Sequence, residues 1–134
     1  MRLRILAVGR CRDAAIRELT DRYLARSAIP AELVELSPRG SEAEALLAAL
    51  PAEGRIVALD ERGRDLGSAE IAAVLGSWRD QGERQATFVI GGAAGLGEAV
   101  LARADLRLAF GRATWPHMLV RAMLAEQLYR AGTI

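Results

Sequence analysis

The chain has 134 residues, 51% apolar but only 4% aromatic, and its 18 basic and 17 acidic side chains leave a net charge of +1. That length bounds one domain over 1–134 with an aliphatic core, and near-neutrality excludes a global field for DNA or any other polyanion. A single cysteine, Cys11, excludes an intramolecular disulfide, and the N-terminal apolar run Ile5–Gly9 is too short for a signal peptide or a membrane span. These bounds predict a soluble, cytoplasmic protein without a membrane partner.

Arg2–Val8 is an apolar run ending at Gly9 and reads as a strand. From Asp13 to Ala28 the apolar residues Ile16, Leu19, Tyr23 and Leu24 follow near-helical spacing, and the pattern stops before Pro30. Ala31–Leu36 alternates like a second strand. Ser41 with Glu44 has the form of a capping box opening a helix to about Leu50, and Pro51–Gly54 breaks it. Arg55–Leu59 is a short strand leading into Asp60-Glu61-Arg62-Gly63. Ser68 is placed to cap the next helix, which carries Ile71, Val74, Leu75 and Trp78 and ends near Gly82. Ala86–Ile90 is a strand running into Gly91-Gly92-Ala93-Ala94-Gly95. Gly97–Ala104 reads as a short helix and Leu106–Phe110 as the last strand.

After Phe110 comes Gly111-Arg112-Ala113-Thr114-Trp115-Pro116-His117, then an amphipathic helix. Pro116 suits a first helical turn, with Thr114 as a possible cap. One stripe of the helix carries His117, Arg121, Leu124 and Leu128; the next carries Met118, Ala122, Ala125 and Tyr129. Two buriable stripes predict packing against more than one sheet face, and hence a dimer with this helix at the interface. Glu126 and Arg130 stand four apart in the favourable order.

Five strands alternating with helices predict an α/β fold: a mostly parallel sheet with helices on both faces. Ligands of such sheets bind beyond the carboxyl ends of the strands. Three strand ends carry unusual residues, Leu59-Asp60, Gly91-Gly92 and Gly111–Pro116, so the site is expected where they meet. Gly91-Gly92-x-x-Gly95 is a poor match to a dinucleotide fingerprint, because two glycines are adjacent and the motif follows the fourth strand. A glycine cluster there serves either a tight turn with nothing bound or close backbone approach to a ligand. With one His and one Cys, no metal site is expected.

Trp115-Pro116-His117 through Arg121, followed by Glu126-Gln127-Leu128-Tyr129-Arg130-Ala131, resembles the C-terminal signature of the RlmH family. Leu59-Asp60-Glu61-Arg62-Gly63 and Phe88 to Leu96 extend the resemblance, which covers effectively the whole chain. Members are SPOUT-class enzymes that methylate N3 of a pseudouridine in large-subunit (23S) ribosomal RNA. The resemblance implies a C-terminal trefoil knot, a homodimer, the ribosome as partner and S-adenosyl-L-methionine as cofactor. It places the cofactor at Leu59, Gly91, Gly92, Gly95 and the loop Gly111, Arg112, Ala113, Thr114, Trp115 and Pro116. Trp115 is open to two readings, base stacking or packing at the dimer interface, and packing is favoured.

No residue is assigned as the catalytic base. The candidates for a role toward substrate are His117, Arg121, Tyr129 and Arg130; beside that role, His117 reads as a hydrogen-bonding residue at a helix start, Arg121 binds either RNA phosphate or a backbone carbonyl, and Arg130 forms an ordinary surface pair with Glu126. Relatives often carry an acidic or amide residue at the position of Ala94. They also continue beyond Tyr-Arg-Ala with an aromatic residue, where Gly132 stands here, and a His-Pro-Tyr-His tail of basic character that contacts substrate. The alternative reading is therefore a catalytically impaired SPOUT-fold module that still binds cofactor or ribosome. A flavodoxin- or Rossmann-like nucleotide-binding domain is a third.

Overall fold

The computed structural model describes residues 1–38 and 40–134. In chain order it contains β1 (Arg2–Val8), α1 (Ala14–Arg26), β2 (Ala31–Leu36), α2 (Glu42–Ala49) and β3 (Arg55–Asp65). There follow α3 (Ser68–Asp80), β4 (Gln85–Ile90), α4 (Glu98–Arg103), β5 (Leu106–Ala109) and α5 (His117–Ala131). The strands form one sheet in the order β2-β1-β4-β3-β5. Every described pair is parallel, so the sheet exceeds the expected mostly parallel one.

Strands buried on both faces need apolar side chains at consecutive positions. In β1, Leu3, Ile5 and Ala7 point to one core, with Ile71, Leu75 and Trp78 of α3 and Leu124 and Leu128 of α5. The intervening Leu6 and Val8 point to the other, with Leu46 of α2, Leu50 at its C-cap and Val100 of α4. The terminal helix α5 packs against α1 and α3 as well as the sheet face. Tyr129 packs against Tyr23 of α1, with ring centroids 5.4 Å apart and planes tilted by 47°. Much of the second stripe of α5 is therefore satisfied within the chain itself.

Local chemistry explains the caps, and two differ from expectation. Asp13 caps α1 by accepting from Ala15 and Ile16 amides at 3.0 and 3.2 Å. Ser41 caps α2 through the Glu44 amide at 3.1 Å. In α3 the cap is Gly67 rather than Ser68. Glu70 takes the Gly67 amide at 2.9 Å, which frees the Ser68 hydroxyl to donate to Gln127 of α5 at 2.7 Å. Nor does Thr114 cap α5. Pro116 occupies the cap position with extended backbone, and its carbonyl accepts the first helical bond from Val120 at 3.1 Å. Thr114 lies two residues further back, and its hydroxyl donates to Glu61 at 2.9 Å.

The expected end of the third strand at Leu59 also needs correction. Val57–Leu59 pair with Leu106–Leu108, the chain then leaves register, and Arg64 and Asp65 rejoin beside Leu108 and Ala109. Asp60–Gly63 form a bulge, in which Asp60 accepts the Arg62 amide at 3.2 Å. Gly63 is where the strand closes back: a Cβ there would lie 2.6 Å from the Arg107 carbonyl carbon.

Candidate active site at the carboxyl ends of β3, β4 and β5

The bulge of β3, the glycine turn after β4 and the loop after β5 enclose a cavity of about 700 Å³. This is within the range of small-molecule sites, roughly 300–1,000 Å³. Leu59, Ile90, Leu108 and Val120 supply apolar wall, and Asp60, Glu61, Arg62, Glu98 and His117 supply polar groups around it.

After Ile90 the chain turns at once. The Gly95 amide donates to the Gly92 carbonyl at 3.0 Å, leaving Ala93 and Ala94 at the exposed tip. Gly95 has φ of +83°, a conformation that other residues resist. Gly91 is held by crowding instead, since a Cβ would sit 2.9 Å from the Gly95 carbonyl carbon. The backbone is thereby brought to the cavity surface without side chains in the way.

The loop after β5 is fastened to β3 at two points, one on the bulge and one just after it. Asp65 accepts the Gly111 amide at 3.2 Å and Glu61 accepts the Thr114 hydroxyl at 2.9 Å. Inside the loop, the Trp115 indole N–H donates to the Phe110 carbonyl at 2.9 Å, while the side chain stays 43% exposed.

Of the residues anticipated for the cofactor, Leu59, Gly91, Gly92, Gly95, Gly111, Ala113, Thr114, Trp115 and Pro116 all line this cavity. Arg112 is exposed and is not part of the lining. The four candidates for a role toward substrate separate. His117, at the first turn of α5, lines the cavity. Arg121 is 1% exposed on the far side of the sheet ends, bound to Glu35 at 2.7 Å and to the Val8 and Gly9 carbonyls at 3.0 and 2.9 Å. Tyr129 lies against Tyr23. Arg130 is exposed and paired with Glu126, whose hydrogen bond and charge hold its guanidinium above the ordinary value, so it stays cationic.

Sequence reasoning missed Asp65 and Glu61 as anchors of the loop, because their partners lie 46 and 53 residues away. It also missed Glu42, which packs against Gly92 from behind the turn.

A family model described as predicted SPOUT methyltransferase matches residues 1–134. The chain belongs to that family. Curated relatives named ribosomal RNA large subunit methyltransferase H agree over the full chain. The protein from Paramagnetospirillum magneticum is 50% identical and that from Rhodospirillum centenum 52%, with all of this chain and 94% of each relative covered. The Hyphomonas neptunium protein is 51% identical at the same coverage. SPOUT methyltransferases transfer a methyl group, so this chain is a methyltransferase, and among the described residues no helix is long and apolar enough to cross a membrane.

Proposed function

We propose that the chain methylates N3 of a pseudouridine in large-subunit (23S) ribosomal RNA, with S-adenosylmethionine bound in the cavity at the ends of β3, β4 and β5. The observation that carries this reading is the convergence of nine of the anticipated cofactor residues on that one cavity. Its features fit the cofactor: apolar wall for an adenine ring, and a glycine turn that lets backbone approach closely. Bound S-adenosylmethionine supplies a methyl group on a cationic sulfonium, which becomes a neutral thioether when the methyl leaves.

The chain's own residues position and shield. Leu59, Ile90 and Leu108 exclude water from one wall, and the loop Gly111–Pro116, fixed by Asp65 and Glu61, covers another. Because the leaving group is already activated, orientation supplies most of the rate. His117 is the imidazole that lines the cavity, and we assign it the place beside the acceptor base. Its partner is the ribosome, which places the protein in the cytoplasm.

Two further features of the reading come from the family. The first is a trefoil knot. It is supported by the course of the chain from edge strand β5 across the ends of β3 and β4 to the end of β1, where Arg121 is held. The second is a homodimer, supported by the half-buried Met118, Leu119 and Met123 of α5, with exposed Trp115 nearby in sequence.

Equilibrium titration tests the cofactor assignment. S-adenosylmethionine should bind and NAD should not, and Gly91→Val should abolish binding by forcing a side chain into the Gly95 backbone. Binding of NAD without the sulfonium compound would overturn the assignment.

A further inference from the structure

Glu42, the first residue of α2, lies behind the glycine turn. Its Oε2 is buried and has no hydrogen-bond partner among the described residues. An ideal Cβ on Gly92 would fall 1.8 Å from that oxygen, so the carboxylate rests directly on the Gly92 backbone. Gly92 itself lines the cavity and Glu42 does not, so the Gly92 backbone stands between this carboxylate and the cavity. Among the described residues no Arg or His forms an ion pair with Glu42.

An acidic residue in a first helical turn complements the helix dipole. That role is fulfilled equally by a side chain facing water, and it does not explain an oxygen turned inward with nothing to accept from. A buried carboxylate oxygen without partner is unfavourable unless a positive charge arrives. The cavity side of Gly92 offers the place for one, because a single backbone layer screens charge far less than water does.

We propose that Glu42 makes the site selective for the charge of the methyl donor, favouring the cationic sulfonium over the neutral thioether that remains after transfer. The inference rests on the reading of the cavity as an S-adenosylmethionine site. It gives the chain a way to hold donor and release spent product using a residue that touches neither.

The test is calorimetric titration of the full chain with three ligands: S-adenosylmethionine, S-adenosylhomocysteine, and an analogue bearing an ammonium group in place of the sulfonium. Glu42→Gln keeps the size and removes the charge. It should weaken both cationic ligands roughly fivefold and leave the thioether within about twofold, the scale of one unit charge about 10 Å away at an intermediate dielectric. If that variant does not fold, Glu42→Ala repeats the comparison without a polar group against Gly92. Equal losses for all three ligands would make Glu42 a prop for the turn and overturn the proposal, as would no loss for any. Wild-type protein that binds none of the three would overturn the cofactor reading itself, and this inference with it.

Discussion

Arg121→Met removes the most deeply buried charge among the described residues while keeping an unbranched side chain. In the wild type the guanidinium is 1% exposed and makes three bonds, to the Glu35 carboxylate and to the carbonyls that end β1. Breaking a buried ion pair by deleting one member costs about 3–5 kcal/mol. Each carbonyl left unsatisfied adds about 1–3 kcal/mol if no water replaces the donor. Two features lower the total. The Glu35 side chain is 32% exposed, so water reaches it, and it keeps the Cys11 amide at 2.7 Å. The Arg121 Nε already lacks a partner, so its removal costs nothing. The expected loss is about 3–4 kcal/mol, or roughly 10–14 °C in Tm for a chain of this size. Urea unfolding followed by circular dichroism measures it. Glu35→Gln in a double-mutant cycle should show coupling of about 1–3 kcal/mol. Cofactor affinity of the folded variant should be unchanged, because Arg121 is not part of the cavity lining. A loss below about 1 kcal/mol, with ribosome binding abolished, would refute the structural role and return Arg121 to phosphate recognition.

Gly63→Ala should disrupt the closure of the β3 bulge on β5, because the new methyl meets three backbone atoms within 2.8 Å; thermal melting should show a loss of at least about 2 kcal/mol. Thr114→Val and Glu61→Gln each loosen the exposed clasp on the loop. Stability should change by less than about 1 kcal/mol while cofactor affinity falls several-fold, a split that unfolding and titration resolve together. Trp115 is 43% exposed at the cavity and Trp78 is 8% exposed in the core. Cofactor binding should therefore shift indole emission in the wild type, and Trp115→Phe should eliminate the shift. A change that persists in the variant would place the ligand elsewhere.

The strands were legible because each is an apolar run bounded by glycine, proline or charge, and five of them separated by helical spacing leave little choice of fold class. What escaped depended on partners distant in sequence. Asp60 to Asp65 holds five charged residues and one glycine, so nothing in it signals a strand. Its return to register is imposed by β5. Ser68 looks like a cap, but Glu70 holds the Gly67 amide and Gln127 takes the serine hydroxyl. For Arg121 two partners were open from sequence, RNA phosphate or a backbone carbonyl, and the structure gives it the Val8 and Gly9 carbonyls. The Glu35 that neutralises it is 86 residues earlier, beyond any local pattern. At the site, glycines and strand ends were readable from spacing, and the family resemblance named the ligand. The anchoring carboxylates Asp65 and Glu61, and Glu42 against Gly92, look like ordinary surface charge until the fold brings them to their loops.

Methyl transfer to ribosomes lacking the modification tests the account most directly. The protein is incubated with such ribosomes and labelled S-adenosylmethionine, and the labelled nucleoside is mapped by mass spectrometry. Label should enter large-subunit RNA at N3 of a pseudouridine, and Gly91→Val should abolish the incorporation while remaining folded. Label at another base, or unchanged transfer by the Gly91→Val protein, would contradict the assignment of this cavity as the site of methyl transfer.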